Sequence, residues 1–471
     1  MTAQLFPGAS APPPSTLGSN GKSVHAAPEG NPVAVYPNRP KRRPKELRDV
    51  AQVLKSVTRR QRRFELTRLA GSCLYEKGLG WKDQHATCWC HRGSNRAEGE
   101  RLPVLRRGDS TGARLEGVIT CGLGWTCPVC AAQISEARRQ ELQLAVERHC
   151  STGGSVYLLS CTIPHTADQP LQQLLDQLLD ARKRLQNCRK WKTTMEAAGR
   201  LGSITGLEVT VGWNGWHPHF HMLVLTDRGG LGEGAPNEDG DLSSRQIDAL
   251  KLEWVRILLK VGAITQAQAS DVYKHGLNVR GGDKAAEYIA KYGEDHWGLT
   301  REMASTFAKV GVRGIMGEHM SPFQLLEVAD AQGEYSLQAR AMFREFAAAF
   351  KGRRMLTWSP GLKKHFNIAD LDDADIASEL GSPAKAEEVN VASISQAQFS
   401  TLTRANLLGA FLTYVTTECA DIFIAQDLID SWIERRAGEA GFRGSGEVLH
   451  AVHWHIKAPA KYRYHPVEAT E

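Results

Sequence analysis

Leu207-Glu208-Val209-Thr210-Val211-Gly212-Trp213-Asn214-Gly215-Trp216-His217-Pro218-His219-Phe220-His221-Met222-Leu223-Val224-Leu225 is the stretch whose reading decides the fold. Two β-rich runs flank Asn214-Gly215, the residue pair that favours a two-residue type I′ hairpin turn. Such a turn pairs residue 213 with 216, which predicts Glu208 opposite His221 and Thr210 opposite His219. Side chains alternate between the faces of a strand. His217, His219, His221, Glu208 and Thr210 therefore share one face, and Leu207, Val209, Val211, Phe220, Met222 and Val224 share the other. Opposed strand residues hold their Cβ atoms roughly 4.5–5.5 Å apart, within reach of one ion. Two imidazoles at i and i+2 facing a carboxylate predict a divalent-cation site of His219, His221 and Glu208. Mixed nitrogen and oxygen ligands suit Mg²⁺ or Mn²⁺, with Zn²⁺ as the alternative. His217, beside the turn, is expected to stand outside the ligand set.

The apolar face of the hairpin needs a cover. Val156-Tyr157-Leu158-Leu159-Ser160-Cys161-Thr162-Ile163 reads as a buried strand ending at Pro164. A helix then opens near Asp168 and Pro170, with Leu171, Leu174, Leu175, Leu178, Leu179 and Leu185 at helical spacing. Further on, Gly281-Gly282-Asp283 and Gly293 bracket a short predicted helix over 284–292. It carries Tyr288 and Tyr292 at i and i+4, on one face, with Lys284 and Lys291 as neighbouring cations. A free phenol titrates near ~10, so nucleophilic attack by either tyrosine needs a proton acceptor or a metal-polarised phosphate.

Six of the ten cysteines fall between 73 and 130. Cys121-x5-Cys127-Pro128-Val129-Cys130, with Cys88-Trp89-Cys90-His91 upstream, has the spacing of a tetrahedral zinc site. Cys90, Cys121, Cys127 and Cys130 are the predicted ligands, with Cys88 or His91 as substitutes and a structural role. Across 471 residues, 58 Lys and Arg stand against 52 Asp and Glu, a formal charge of +6. That balance permits nucleic-acid binding without requiring it. Arg59-Arg60-Gln61-Arg62-Arg63 and Lys41-Arg42-Arg43-Pro44-Lys45 are basic runs, read either as solvated faces or as phosphate-tracking patches. Trp213, Trp216 and Lys284 are further candidate DNA contacts. No apolar run approaches the roughly 18 residues of a membrane span, and no basic start with an apolar run marks a secretory leader. A cytoplasmic protein with reduced cysteines is expected. No Gly-x4-Gly-Lys-Ser/Thr loop appears, which argues against an ATP-driven helicase.

His219-Phe220-His221-Met222-Leu223-Val224 resembles the His-hydrophobe-His motif of the HUH endonucleases, and Tyr288-Ile289-Ala290-Lys291-Tyr292 resembles the tyrosine motif of rolling-circle replication initiators. The histidines precede the tyrosines, as in initiators, whereas conjugative relaxases have the reverse order. Ser160–His165, Gly206–Thr210, Ser321–Leu326 and Leu356–Leu362 also resemble plasmid initiators, so the likeness spans roughly 115–365. The family implies that His219 and His221 hold a metal and that one tyrosine nicks DNA, leaving a 5′-phosphotyrosine and a free 3′-hydroxyl. Some plasmid initiators carry a single tyrosine with a glutamate where Tyr288 stands; the two-tyrosine phage arrangement is the closer match. Tyr292 is then expected to cut first and Tyr288 to act in the second transfer. Single-stranded or extruded origin DNA is the implied substrate, and a host helicase and DNA polymerase are the implied partners.

The expected architecture is α+β. A disordered tail (1–45) and a basic helix with a zinc module (46–150) precede a core (151–310) whose central antiparallel sheet carries helices on one side. A mostly helical region (311–471) follows, with a polar linker near 378–396. Two other readings fit the same residues: a two-tyrosine single-strand transposase, and a zinc-dependent DNA-binding protein that cuts nothing.

Overall fold

The computed structural model describes residues 50–107, 112–212, 214–227, 230–231, 236–238, 240–282, 285, 288–289, 320–331, 333, 335–378 and 388–440, with side chains from Arg59 onward. In chain order the elements are α1 (Val50–Leu74), β1 (Leu102–Arg107), β2 (Ala113–Leu115), α2 (Pro128–Ser151), β3 (Gly154–Thr162), α3 (Leu171–Asn187), α4 (Arg189–Ala197), β4 (Arg200–Gly212), β5 (Gly215–Asp227), α5 (Arg245–Lys260), α6 (Ala269–His275) and β6 (Leu277–Arg280). They continue with α7 (Pro322–Asp330), α8 (Ser336–Ala349), β7 (Leu356–Trp358), α9 (Leu362–His365), α10 (Asp373–Ala377), β8 (Glu388–Ile394), α11 (Gln396–Arg404), α12 (Leu408–Glu418) and α13 (Ala425–Glu439).

A five-stranded antiparallel sheet in the order β6-β3-β5-β4-β7 forms the centre. Strand β3 is apolar on both faces because both are covered: Tyr157, Leu159 and Cys161 enter one core, Val156 and Leu158 another. The first core takes the leucine stripe of α3 against Leu207, Val209, Phe220 and Met222, with Trp254 of α5. The second lies on the histidine-bearing face, where Leu142, Ala145 and Val146 of α2 meet Leu158, Ile204, Leu223 and Leu225. The expectation of helices on one side only is therefore corrected. Helix α2 covers half of the second face and leaves its polar end, toward the hairpin turn, for the site.

The hairpin register also departs from the expected one. Gly212 pairs with Gly215, Glu208 with His219 and Thr210 with His217. A type I′ turn needs positive φ at both central residues, but the left-handed residue here is Gly215 (φ +84°) and Asn214 is not left-handed. Gly215 is needed twice over, since a Cβ there would sit 2.8 Å from Ala167 Cα. The connection thus shifts one residue back and the partner sum shifts by two. That shift preserves parity, so every side chain keeps its predicted face.

A second sheet, β2-β1-β8, joins the hairpin at 102–115 to the stretch at 388–394 expected as linker. With α11, α12 and α13 it encloses a separate core of Leu102, Val104, Ile394, Phe411, Val415 and Trp432. Likewise β7, from the region expected to be helical, completes the central sheet at its β4 edge. Residues 1–49, with the basic run at 41–45, lie outside the described residues.

Candidate metal centre and its neighbours

Strands β4 and β5 deliver Glu208, His219 and His221 to one point: one ligand atom from each lies within 4.8 Å of the others. His219 Nε2 is 3.2 Å and His221 Nε2 3.6 Å from the same Glu208 oxygen. These spacings suit ligands sharing one ion, since bonds of roughly 2.1 Å at right angles place neighbouring ligand atoms about 3 Å apart. Each imidazole is aimed by its other nitrogen. His219 Nδ1–H donates to the His217 carbonyl (3.3 Å), which forces the lone pair onto Nε2. His221 Nδ1 meets Ser160 Oγ on β3 at 2.7 Å, so Nε2 again faces inward. Burial pulls the His219 imidazole down, but the hydrogen bond and charge of Glu208 outweigh it and raise its pKa above the ordinary value. The ring stack runs on through His217, 4.9 Å from His219, to His165, 4.9 Å from His217.

Tyr288 sits beside this group, its ring centroid 4.8 Å from that of His221 and its phenolic oxygen buried. The described residues of its segment, Gly282, Ala285, Tyr288 and Ile289, are helical. Tyr292, Lys291, Lys284 and Trp213 lie outside the described residues.

The predicted cysteines also converge. Sγ of Cys90 lies 3.5 Å from Cys130 and 3.5 Å from Cys127, and Cys121 lies 3.6 Å from Cys130. Four sulfurs bound at about 2.3 Å to one tetrahedral zinc lie roughly 3.8 Å apart, so the cage fits that ion. The Cys121 N–H donates to Cys90 Sγ (3.4 Å), and Cys127 with Pro128 opens α2, which puts Cys130 in its first turn. Burial holds the Cys90 and Cys121 thiols well above their ordinary range in the absence of a cation. Of the proposed substitutes, Cys88 donates instead to the Gly71 carbonyl (3.2 Å), while His91 Nδ1 lies 3.1 Å from Cys90 Sγ, beside the cage.

Two candidate DNA contacts are corrected. Trp216 is 3% exposed, donates its Nε1–H to Glu345 (3.0 Å) and stacks on Phe346, which anchors the hairpin to α8. The basic run of α1 packs inward. Arg60 bonds Thr416 Oγ1 (3.1 Å), and Arg62 bridges Glu65 (3.0 Å) and Asp330 (2.9 Å). Burial and then the charges of Arg60 and Arg59 push Arg63 down to about 10. Arg59 is half-buried. Arg60 and Arg62 thus tie α1 to α12 and α7 instead of lying free for phosphate.

Ser160, against His221 Nδ1, is the site neighbour that strand patterning missed. It became visible only when β3 paired with β5, Ser160 opposite His221. Ser160→Ala is expected to weaken Mn²⁺ binding roughly 10–100-fold, the usual cost of losing a group that orients a histidine ligand. Calorimetric titration measures it, and unchanged affinity removes Ser160 from the site.

A family model described as replication protein matches residues 112–231, which span the end of the cysteine cage and the whole metal-ligand hairpin. The chain is 29% identical over 313 residues to the Protein rep of Streptomyces lividans, covering 55% of this chain and 67% of that one. It is 35% identical over 143 residues to a Streptomyces cyanogenus protein named Neomycin resistance protein, covering 25% of this chain and 32% of the other. No solved structure matches. The matched stretch of this α+β chain, with its hairpin, is similar to replication proteins. Over these stretches the chain is similar to plasmid replication initiators. Among the described residues no helix is long and apolar enough to cross a membrane.

Proposed function

We propose that this chain is a replication initiator that opens its replicon by nicking one DNA strand at the origin with a tyrosine, in the manner of the HUH endonucleases. The single observation that carries the reading is the convergence of His219 Nε2, His221 Nε2 and a Glu208 oxygen on one strand face, with a tyrosine ring against His221. Mg²⁺ or Mn²⁺ held there would polarise the oxygens of the scissile phosphate. Glu208 fixes both imidazoles, and the His217 carbonyl and Ser160 keep their Nε2 atoms inward.

The phenolic oxygen of a tyrosine forms a bond to phosphorus as the bond from phosphorus to the 3′ oxygen breaks. The phenol's proton leaves to water, and the departing 3′ oxygen takes one up. A 5′-phosphotyrosine and a free 3′-hydroxyl result, one phosphodiester exchanged for another, so the strand can be rejoined by the reverse attack. Tyr292 takes the first cut and Tyr288 the later transfer; the buried oxygen of Tyr288 weighs against its acting first. Origin DNA in single-stranded or extruded form is the substrate; a host helicase separates the strands and a host polymerase extends the 3′ end. The cysteine cage holds Zn²⁺ as a structural ion that fixes α2, the helix covering half of the active face.

The test is incubation with labelled single-stranded origin DNA and Mn²⁺. A protease-sensitive covalent complex is expected from the wild type. It is expected to vanish in Tyr292→Phe and to persist in Tyr288→Phe with rejoining lost. The double variant should bind origin DNA normally and form no adduct. Adducts in the double variant would remove both tyrosines from the chemistry.

A further inference from the structure

Beyond the metal-ligand set, a cleft of about 790 Å³ lies between the loop at 121–126 and the segment running from the end of α8 through β7 to α10. Its wall at Leu356 belongs to the same cross-strand row as the site: Leu356 pairs with Gly206, and Gly206 pairs with His221. Neighbouring strands lie about 4.8 Å apart, so the backbones of Leu356 and His221 are about 10 Å apart.

The charges on the cleft wall do not cancel. Its three acids are engaged: Asp370 with Lys363 (3.3 Å), Asp373 with Arg138 (2.7 Å), and Asp372 by capping the Asp375 N–H (2.6 Å). Arg353 pairs outside the cleft with Asp176 (3.1 Å). Lys351, Arg354 and Lys364 remain, all exposed and in no ion pair among the described residues. Lys351 also faces His85, which burial and then the Lys351 charge hold down to about 4, so this neighbour is no anion for it. The Trp358 ring, under the Lys363 ammonium at 5.6 Å, adds an aromatic surface to the same wall.

We infer that this cleft binds the phosphodiester backbone of single-stranded DNA, holding through Lys351, Arg354 and Lys364 the strand that runs to the Glu208-His219-His221 site. The inference rests on the proposed nicking function for its choice of ligand. A row of cations beside an aromatic surface is the arrangement that tracks a flexible strand. Pockets of roughly 300–1,000 Å³ enclose drug-sized groups, which admits one or two nucleotides and no duplex.

The experiment measures binding of a fluorescent oligothymidylate to the full chain by anisotropy across a salt series, for the wild type and the combined variant Lys351→Gln, Arg354→Gln, Lys364→Gln. Each phosphate contact on a single strand contributes about 0.7 to the slope of log K against log salt, so the variant should lose about 2 units of slope. At ~0.1 M salt that corresponds to roughly 100-fold weaker binding. Mn²⁺ affinity equal to the wild type's certifies that the variant is folded. A variant with the wild-type slope and affinity overturns the inference, and does so while leaving adduct formation, and hence the nicking proposal, standing. Loss of slope in the variant together with no adduct from the wild type supports the cleft and overturns the nicking instead. Two further outcomes overturn the single-strand assignment: equal competition by a duplex oligonucleotide, and displacement by inorganic phosphate at the same concentration of phosphate groups.

Discussion

Serine in place of Cys127 is expected to unfold the region where α1, the cysteine cage and the start of α2 meet. Structural zinc in small modules contributes roughly 10–16 kcal/mol of folding free energy, while a whole domain is stable by only about 5–15 kcal/mol. Cys127 is fully buried, its sulfur lies 3.5 Å from Cys90, and it begins the helix that packs on the sheet. Loss of one thiolate therefore removes a ligand, leaves three buried thiols with no cation, and loosens the N-terminus of α2. The readouts are zinc per chain, from one to none, and the thermal midpoint, which should fall by ten degrees or more or disappear as a cooperative transition; strong chelation of the wild type should act in the same direction. A Cys127→Ser protein with a wild-type midpoint and no zinc would show that the cage is an ordinary buried cluster.

The second large effect is expected at the hairpin. His219→Ala or His221→Ala should weaken Mn²⁺ binding by about 100-fold or more, because losing only an orienting partner of such a ligand already costs roughly 10–100-fold. Adduct formation should fall at least as far. Glu208→Gln should weaken the ion comparably, since this one carboxylate faces both imidazoles. These side chains sit at the polar end of the sheet and retain 13–19% exposure, so the folded state should survive each change. Calorimetric titration separates the two quantities. Unchanged Mn²⁺ affinity in all three variants would mean that the triad is a hydrogen-bonded surface cluster and that any metal sits elsewhere.

The face assignment of the hairpin was legible because alternation depends on parity alone. A turn displaced by one residue changed the partners of Glu208 and Thr210 yet moved no side chain to the wrong side. The cysteine set was legible for a similar reason, since Cys-x2-Cys at a helix start is a local geometry. The basic run on α1 misled because charge says nothing about what a helix face meets. Arg60 bonds Thr416, 356 residues away. Trp216 misled in the same way: beside a turn it looked available for stacking, and Glu345 of α8 holds it inside.

The sequence by itself determined the local periodicities of this protein: a strand hairpin with imidazoles on one face, a leucine-striped helix to cover the other, a thiolate set, and the family likeness. Only the tertiary structure decided which strands flank that hairpin, that Ser160 meets His221, that α2 packs on the histidine-bearing face, and that β1 and β2 share a core with residues 388–440. The physical reason is the range of the forces that leave a trace in sequence. Backbone geometry repeats every 2 or 3.6 residues and writes itself into neighbouring positions, whereas strand pairing and helix docking join segments hundreds of residues apart through burial, which many arrangements of the same apolar stripes would satisfy.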